Sequence, residues 1–213
     1  MKDIIFDLDG TIIDSKAEIV NTYQLVFNSI SPSKEIDFKT MNYGAPLITI
    51  LKEVYNNHEI EFQAKKLFSS IYDCSNYENT VIYPGVIKTL EELKNNNFNL
   101  YIATNKRYNP TLRILEIKKL SKYFTDIYAI DRFPEQILSK SEMVKNIIEK
   151  HQIRNGYMVG DTIGDIQAGK DNNLTSLAAT YGYEDIQKLK SVEPDDYINN
   201  FEMILKVINF EAI

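Results

Sequence analysis

Cysteine and long basic runs are almost absent from this chain of 213 residues. The single cysteine, Cys74, excludes an internal disulfide, and we expect it to be a small buried side chain in a protein of a reducing compartment. No run of lysine and arginine is long enough to follow a phosphate backbone, and the net charge is −6. We therefore expect no nucleic-acid partner.

Long apolar runs are missing as well. Only three consecutive apolar residues precede Asp7 near the start of the sequence, too few for a signal peptide or a membrane span. We therefore expect a cytoplasmic protein with no membrane partner. Hydrophobic residues make up 44% of the chain and charged residues 25%, the balance of an ordinary globular protein. The length suits one domain, or one domain with a smaller insertion, and we expect a monomer.

Short apolar runs alternate with longer helical patterns over most of the chain. The runs predict five strands, at residues 4–6, 100–103, 127–130, 157–159 and 174–179. Each is almost continuously apolar, as a strand buried on both faces should be. The alternation predicts an α/β fold with a doubly wound, mostly parallel sheet, in which ligands bind outside the carboxyl ends of the strands.

Residues 14–82 interrupt this alternation, because they contain helical patterns and no convincing buried strand. Two apolar stripes have helical spacing, and their residues are Val20, Tyr23, Phe27 and Ile30, and then Ala64, Leu67, Phe68 and Ile71. Residues 44–46 punctuate the stretch between them, and residues 15–18 have the spacing of a capping box. We predict a catalytic core formed by residues 1–13 and 83–213, and an inserted helical domain at residues 14–82.

Two carboxylates follow the first predicted strand, in the sequence Asp7-Leu8-Asp9-Gly10-Thr11. In an extended chain Asp7 and Asp9 lie on the same side, and Gly10 then allows a turn. Carboxylates this close repel one another unless a cation or a shared proton intervenes, which indicates a divalent metal, an acid/base function, or both. A local turn that merely ends the strand is the structural alternative.

Polar residues also follow the next two predicted strands. Thr104, Asn105 and Lys106 follow the second, where a hydroxyl and backbone amides suit phosphate oxygens or simply satisfy a loop. Lys140 lies in a second capping box, residues 139–142, at the start of a helix. A cation is unfavourable there unless an anion lies nearby, so Lys140 is either an anion-binding residue or a solvated surface lysine.

The fourth strand leads to two more carboxylates, Asp161 and Asp165. Carboxylate oxygens are typical ligands of hard cations such as Mg²⁺. Residues 162–165 also have capping-box spacing, so Asp165 is a helix cap or a metal ligand, whereas no such alternative applies to Asp161. All four sets of polar residues follow strands, where the predicted fold has its ligand crevice.

In this order the motifs resemble the haloacid dehalogenase-like superfamily of phosphatases, in particular its phosphoglycolate phosphatase and β-phosphoglucomutase group. The matching residues are Asp7-x-Asp9-Gly10-Thr11, Thr104, Lys140 and Gly160-Asp161-x-x-x-Asp165, so the resemblance covers essentially the whole chain. It implies a Rossmann-like core with an all-helical cap inserted after the first motif. Ser141 departs from the pattern, since many relatives have proline after the lysine.

The resemblance also implies roles for the acidic residues. Asp7 would be the nucleophile that forms an aspartyl phosphate, and Asp9 would act first as general acid and then as base. Mg²⁺ would be held by the Asp7 carboxylate, the Asp9 backbone carbonyl and Asp161, with Asp165 as a ligand or next to one.

The remaining candidates would bind the substrate. Thr104, Asn105 and Lys140 would contact phosphate oxygens, and Gly44 and Lys106 would contact the rest of the molecule. The expected activity is Mg²⁺-dependent hydrolysis of a small phosphorylated metabolite, of the phosphoglycolate, sugar phosphate or nucleotide type.

Three alternatives stay open at this point. A phosphomutase would use the same aspartyl phosphate, although His58, in a polar stretch, is no convincing acid/base partner for a sugar. A signalling receiver domain also has a phosphorylated aspartate, a threonine and a lysine, but its aspartate would end a central strand and no helical insertion would follow. The third alternative is a non-catalytic phosphate-binding protein on this scaffold.

Overall fold

Six parallel strands form the centre of the structure, a computed structural model that describes residues 2–31, 36–38, 41, 45–133 and 135–208. Two further strands of two residues each pair outside this sheet. In chain order the strands are β1 (Lys2–Phe6), β2 (Ile13–Asp14), β3 (Val81–Ile82), β4 (Phe98–Thr104), β5 (Asp126–Ala129), β6 (Gly156–Gly160), β7 (Thr175–Ala179) and β8 (Asp196–Ile198).

From β3 onward the described helices alternate with these strands, whereas three consecutive helices lie between β2 and β3. The described helices are α1 (Lys16–Ile30), α2 (Leu47–Tyr55), α3 (His58–Asp73), α4 (Val86–Asn95), α5 (Tyr108–Ile117), α6 (Lys140–His151), α7 (Ile163–Asp171), α8 (Ile186–Ser191) and α9 (Ile204–Val207), with short 3₁₀ helices at 121–123 and 201–203. No helix in the described part of the chain combines the length and the apolar character that crossing a membrane would require.

The sheet order β5-β4-β1-β6-β7-β8 confirms the predicted doubly wound fold. The chain builds outward from β1 to β5 on one side, and then returns to place β6 on the other side of β1. This reversal puts a crevice at the carboxyl ends of β1, β4 and β6, where ligands bind in such sheets. Because β1 is central in space although first in the chain, strand position alone does not exclude a receiver domain.

Side chains of the central strands are buried on both faces, as their apolar runs predicted. Ile4 and Phe6 of β1 pack in one cluster with helix α4, whereas Ile5 packs in another cluster with helix α6. All five predicted strands are confirmed. The sixth strand, β8, was missed because it is a short edge strand in which only Ile198 is buried.

Helices α1, α2 and α3 occupy most of the segment predicted as an insertion. The ring of Tyr23 in α1 lies 4.8 Å from that of Phe68 in α3, so the two predicted stripes face each other. Strands β2 and β3 pair antiparallel at the two ends of the segment. This arrangement agrees with the predicted boundaries near 14 and 82, which stay a prediction. Helix α2 was not predicted.

Two sequence predictions in this segment are wrong. Residues 15–18 form no capping box: the Glu18 carboxylate instead accepts hydrogen bonds from the Ser75 hydroxyl and, at 2.9 Å, from the Asn79 backbone, which ties α1 to the loop after α3. Cys74 is exposed at the end of α3 rather than buried, because the chain leaves the apolar stripe there. Gly44 lies outside the described residues.

Candidate active site

The first motif continues β1 into the crevice. The Asp7 backbone N–H donates to the Val159 carbonyl at 2.9 Å, so Asp7 still takes part in the sheet at the carboxyl end of β1. The chain turns at Gly10, whose φ of 83° is costly for any residue with a side chain. A Cβ atom there would also overlap the Asp161 carboxylate. Glycine is thus required both by the turn and by the approach of Asp161.

Three buried carboxylates meet beside this turn. Asp7, Asp161 and Asp165 each contribute an oxygen that lies within 4.8 Å of the others. The Lys140 ammonium lies between two of them, 2.7 Å from Asp7 Oδ1 and 2.7 Å from Asp165 Oδ1, and donates to the Ala103 carbonyl at 2.9 Å. The sequence alternative of a solvated surface lysine is therefore wrong.

Burial and neighbouring charges together raise the pKa values of Asp7, Asp161 and Lys140. Burial raises the pKa of Asp7 to about 7, and the Asp165 charge adds to the rise, although Lys140 opposes it. Burial and the charges of Asp7 and Asp165 also hold the pKa of Asp161 well above its usual range. Burial by itself lowers the pKa of Lys140, but the charges of Asp165 and Asp7 outweigh it and raise that pKa, so the lysine stays protonated.

These residues fit a divalent cation. Three carboxylates and one lysine, when all are ionised, leave a formal excess of two negative charges in a buried site. Such an excess is unfavourable at low dielectric unless a cation compensates it or a carboxylate takes up a proton. Carboxylate oxygens are the ligands that Mg²⁺ prefers, and the donor set contains no soft ligand that would favour another class of metal.

Asp165 uses its two oxygens for two purposes. Oδ2 accepts hydrogen bonds from the Thr162 backbone and hydroxyl at 3.0 and 2.7 Å, which confirms the capping box at the start of α7. Oδ1 contacts Lys140 inside the cluster. The helix cap predicted for Asp165 is thus confirmed and does not exclude the other alternative, a metal ligand, which stays a prediction. The capping box that begins α6 at Ser139 is also confirmed.

Asp9 lies outside the acidic cluster and has partners of its own. Its Oδ1 accepts a hydrogen bond from the Ser15 hydroxyl and lies 3.1 Å from the Lys106 ammonium. Lys106 also donates to the Tyr72 hydroxyl at 2.7 Å and lies over the Tyr72 ring. Lys106 thus connects Asp9, in the core, to helix α3.

The other residues predicted after β4 lie nearby. Thr104 is buried, and its hydroxyl accepts a hydrogen bond from the Lys106 backbone at 3.2 Å, so it does support the loop locally. Asn105 lines the same cavity as Asp7, Asp9 and Thr104. The structure therefore brings together every predicted site residue that it describes, whereas their contacts with a phosphate stay a prediction.

A loop after β7 completes the site and was missed. The Tyr183 backbone donates to Asp161 Oδ2 at 2.8 Å, while the Thr11 hydroxyl donates to Oδ1 of the same carboxylate at 2.9 Å. A Cβ atom at Gly182 would overlap the Asp161 side chain, so this glycine lets the loop approach. The position after a predicted strand was a signal that could have identified this loop.

A cavity of about 310 Å³ opens above the carboxylates. Its lining joins the crevice of the sheet to the helices of the inserted segment, and includes Asp7, Asp9, Thr104, Lys106, Phe68 and Tyr72. The volume lies at the lower end of the roughly 300–1,000 Å³ that small-molecule sites occupy. A small ligand in this cavity would lie against Asp7 and Asp9.

Comparison with known proteins agrees with this geometry. Residues 4–179 match the family described as haloacid dehalogenase-like hydrolase. A phosphoglycolate phosphatase of Vibrio vulnificus is 30% identical over 227 residues, covering 100% of this chain and 98% of its own, and a pyrophosphatase of Listeria monocytogenes is 24% identical over 98% and 96%. A haloacid dehalogenase-like family protein of Streptococcus pneumoniae has a similar structure, with a TM-score of 0.86, 25% identity and 96% coverage of both chains.

Proposed function

Because this chain belongs to the haloacid dehalogenase-like hydrolase family, we propose that it is a Mg²⁺-dependent phosphatase of small phosphomonoesters. The observation that carries the proposal is the buried group of Asp7, Asp161, Asp165 and Lys140, of which Asp7 also lines the cavity. The names of the relatives, phosphoglycolate phosphatase and pyrophosphatase, support a reaction in which a phosphoryl group is transferred.

Asp7 is the proposed nucleophile. A carboxylate oxygen attacks phosphorus, the ester oxygen leaves, and an aspartyl phosphate forms on Asp7. Lys140, in contact with Asp7, holds this carboxylate in place and compensates part of its charge. The position of Asp7 in the β1 backbone ladder keeps it rigid, which favours attack in one geometry.

Asp9 is the proposed general acid and base. Its carboxylate lines the cavity two residues beyond the nucleophile, so it can protonate the leaving alcohol oxygen and later take a proton from the attacking water. Lys106 and Ser15 hold Asp9 apart from the acidic cluster. This separation suits two carboxylates with different tasks.

Asp7, Asp161, Asp165 and the Asp9 backbone carbonyl are the proposed holders of Mg²⁺. When bound, the ion would neutralise the excess negative charge, so that an anionic phosphate can approach an anionic carboxylate. Thr104, Asn105 and Lys140 are the proposed contacts of the phosphate oxygens. Acid–base catalysis supplies only about 10²–10⁴-fold of an acceleration that reaches about 10²¹-fold for phosphate monoesters, so electrostatic stabilisation must supply most of it.

The nucleophile can be tested by substitution. We expect Asp7→Asn to abolish phosphate release from every phosphomonoester, because the amide cannot attack phosphorus, whereas Asp9→Asn should leave phosphate binding largely intact. Phosphate release is measured with Mg²⁺ and with chelator, without added sugar bisphosphate, which also separates a phosphatase from a phosphomutase. When the reaction of a substrate labelled in its phosphoryl group is quenched with acid, the label should be found on the wild-type protein. Full activity of Asp7→Asn would contradict the proposal.

A further inference from the structure

The cavity has two chemically different ends. Asp7, Asp9, Thr104 and Lys106 line the end at the sheet. The described residues that α1, α2, α3 and positions 45–46 contribute to the lining are apolar or aromatic, with Lys65 as the exception. A phosphate at the sheet end would thus leave the rest of the substrate against an apolar wall.

This apolar wall contains aromatic rings and reaches the surface. Phe68 lies between Tyr23 and Tyr72, with ring centroids 4.8 and 5.2 Å apart. At the open edge, Ile48 of α2 is 46% exposed and Ile137, from the loop before α6, is 69% exposed. One exposed isoleucine is ordinary, but these two line the same cavity as the proposed nucleophile.

Three cations line this cavity among the described residues, and two of them already have acidic partners. Lys106 lies 3.1 Å from Asp9, and Arg107 makes a two-point ion pair with Asp73, of which one bond is 2.9 Å. The third is Lys65, an exposed residue of α3. A second carboxylate on the substrate would have to displace one of these partners or bind Lys65 at the surface.

We propose that the alcohol part of the substrate is an uncharged apolar ring, so that ring-bearing phosphomonoesters are preferred over phosphoglycolate and sugar phosphates. This inference rests on the proposed phosphatase function and narrows its substrate class. The ring would contact the rings of Tyr23 and Phe68 and the side chain of Ile48, while the phosphate meets Asp7. Apolar contact in a cavity of this size is a source of affinity that a charged two-carbon acid cannot use.

The test compares kcat/KM for benzyl phosphate and cyclohexylmethyl phosphate with kcat/KM for ethyl phosphate and phosphoglycolate. All four are esters of primary alcohols, so the leaving oxygen is similar and the comparison reports binding of the carbon part. We expect the two ring compounds to exceed both small ones by about tenfold or more. Equal or higher kcat/KM for phosphoglycolate would overturn the inference but leave the phosphatase in place. Hydrolysis of none of the four with Mg²⁺ would overturn both.

Surface variants locate the effect in the cavity. Ile48→Gln and Ile137→Gln should each lower kcat/KM for benzyl phosphate about fivefold, and kcat/KM for phosphoglycolate by a smaller factor, because they remove apolar contact at the open edge of the cavity. Phe62→Gln is the matched control, since Phe62 is 63% exposed on α3 and does not line the cavity. Lys65→Met should not affect benzyl phosphate. A large fall in kcat/KM for the best of the four substrates in Lys65→Met, with no change in kcat/KM for benzyl phosphate in either isoleucine variant, would overturn the inference.

Discussion

Lys140→Met should reduce stability strongly, because it removes the one cation that contacts both Asp7 and Asp165 among the residues the structure describes. The lysine is 8% exposed and has both carboxylates 2.7 Å from its ammonium, with the Ala103 carbonyl as a third acceptor. Removing one partner of a buried ion pair costs about 3–5 kcal/mol, since the remaining charge is left without compensation. We expect a loss in this range in the free energy of unfolding, measured near neutral pH in the presence of chelator.

The pH dependence of this loss has a defined sign. Without Lys140 the pKa of Asp7, already raised by burial, rises further, so the folded variant binds a proton that the unfolded chain has lost. Its stability therefore falls as the pH rises from the ordinary carboxyl pKa toward the raised value. The difference from wild type should be larger at mildly alkaline than at mildly acidic pH.

Urea unfolding followed by circular dichroism suits this protein, which has no tryptophan. Lys145→Met is the matched control on the same helix, because Lys145 is 64% exposed and its ion pair with Glu149 is long, at 3.9 Å. We expect this control to change stability by less than about 0.5 kcal/mol. A loss below about 1 kcal/mol for Lys140→Met would refute the reasoning, since it would mean that the carboxylates are not charged together.

Three further variants test other contacts. Gly182→Ala should displace Asp161 and weaken Mg²⁺-dependent activity at least tenfold in a phosphatase assay, whereas Gly164→Ala, whose Cβ would meet nothing closer than 3.6 Å, should retain activity. Tyr72→Phe removes an acceptor of Lys106 and should lower kcat/KM severalfold with little change in melting temperature. Asp126→Asn should lower the free energy of unfolding by about 1 kcal/mol near neutral pH and not at all in strong acid. Burial by itself raises the pKa of Asp126, but its hydrogen bonds outweigh burial and lower that pKa, so the stabilisation is lost as the pH falls through it. Urea titrations at several pH values would show this dependence.

The parallel sheet could be predicted because burial on both faces leaves a direct signal. Residues 4–6 and 100–103 are apolar at every position, and only a strand covered by helices on both sides requires that. The edge strand β8 lacks this signal, since Asp196 is exposed and Ile198 alone is buried. Helix α2 was missed for a related reason: its nine residues bury only Ile50 and Leu51, which is too short a stripe to recognise.

The location of the acidic site was predictable from the fold, whereas the contacts that each of its residues makes were not. Asp7, Lys140 and Asp161 are far apart in the chain, but the carboxyl ends of neighbouring parallel strands meet, so a fold prediction already brings them together. What each residue does depends on distances that no pattern records. The capping-box spacing of Asp165, for example, suggested either a helix cap or a metal ligand, whereas one of its oxygens caps α7 and the other contacts Lys140.

Contacts between an aromatic side chain of the core and a charged side chain could not be predicted from the sequence. Tyr72 follows an apolar stripe of α3, so periodicity assigns it to the core, yet its hydroxyl accepts a hydrogen bond from Lys106. Periodicity reports which face of a helix is buried and says nothing about a single polar atom on that face. Lys106 follows a strand, where its side chain has many rotamers, and only the position of Asp9 and Tyr72 selects one of them. This link between the inserted helices and the core therefore joins three residues whose types, taken separately, predict a core aromatic, a surface cation and a strand-end turn.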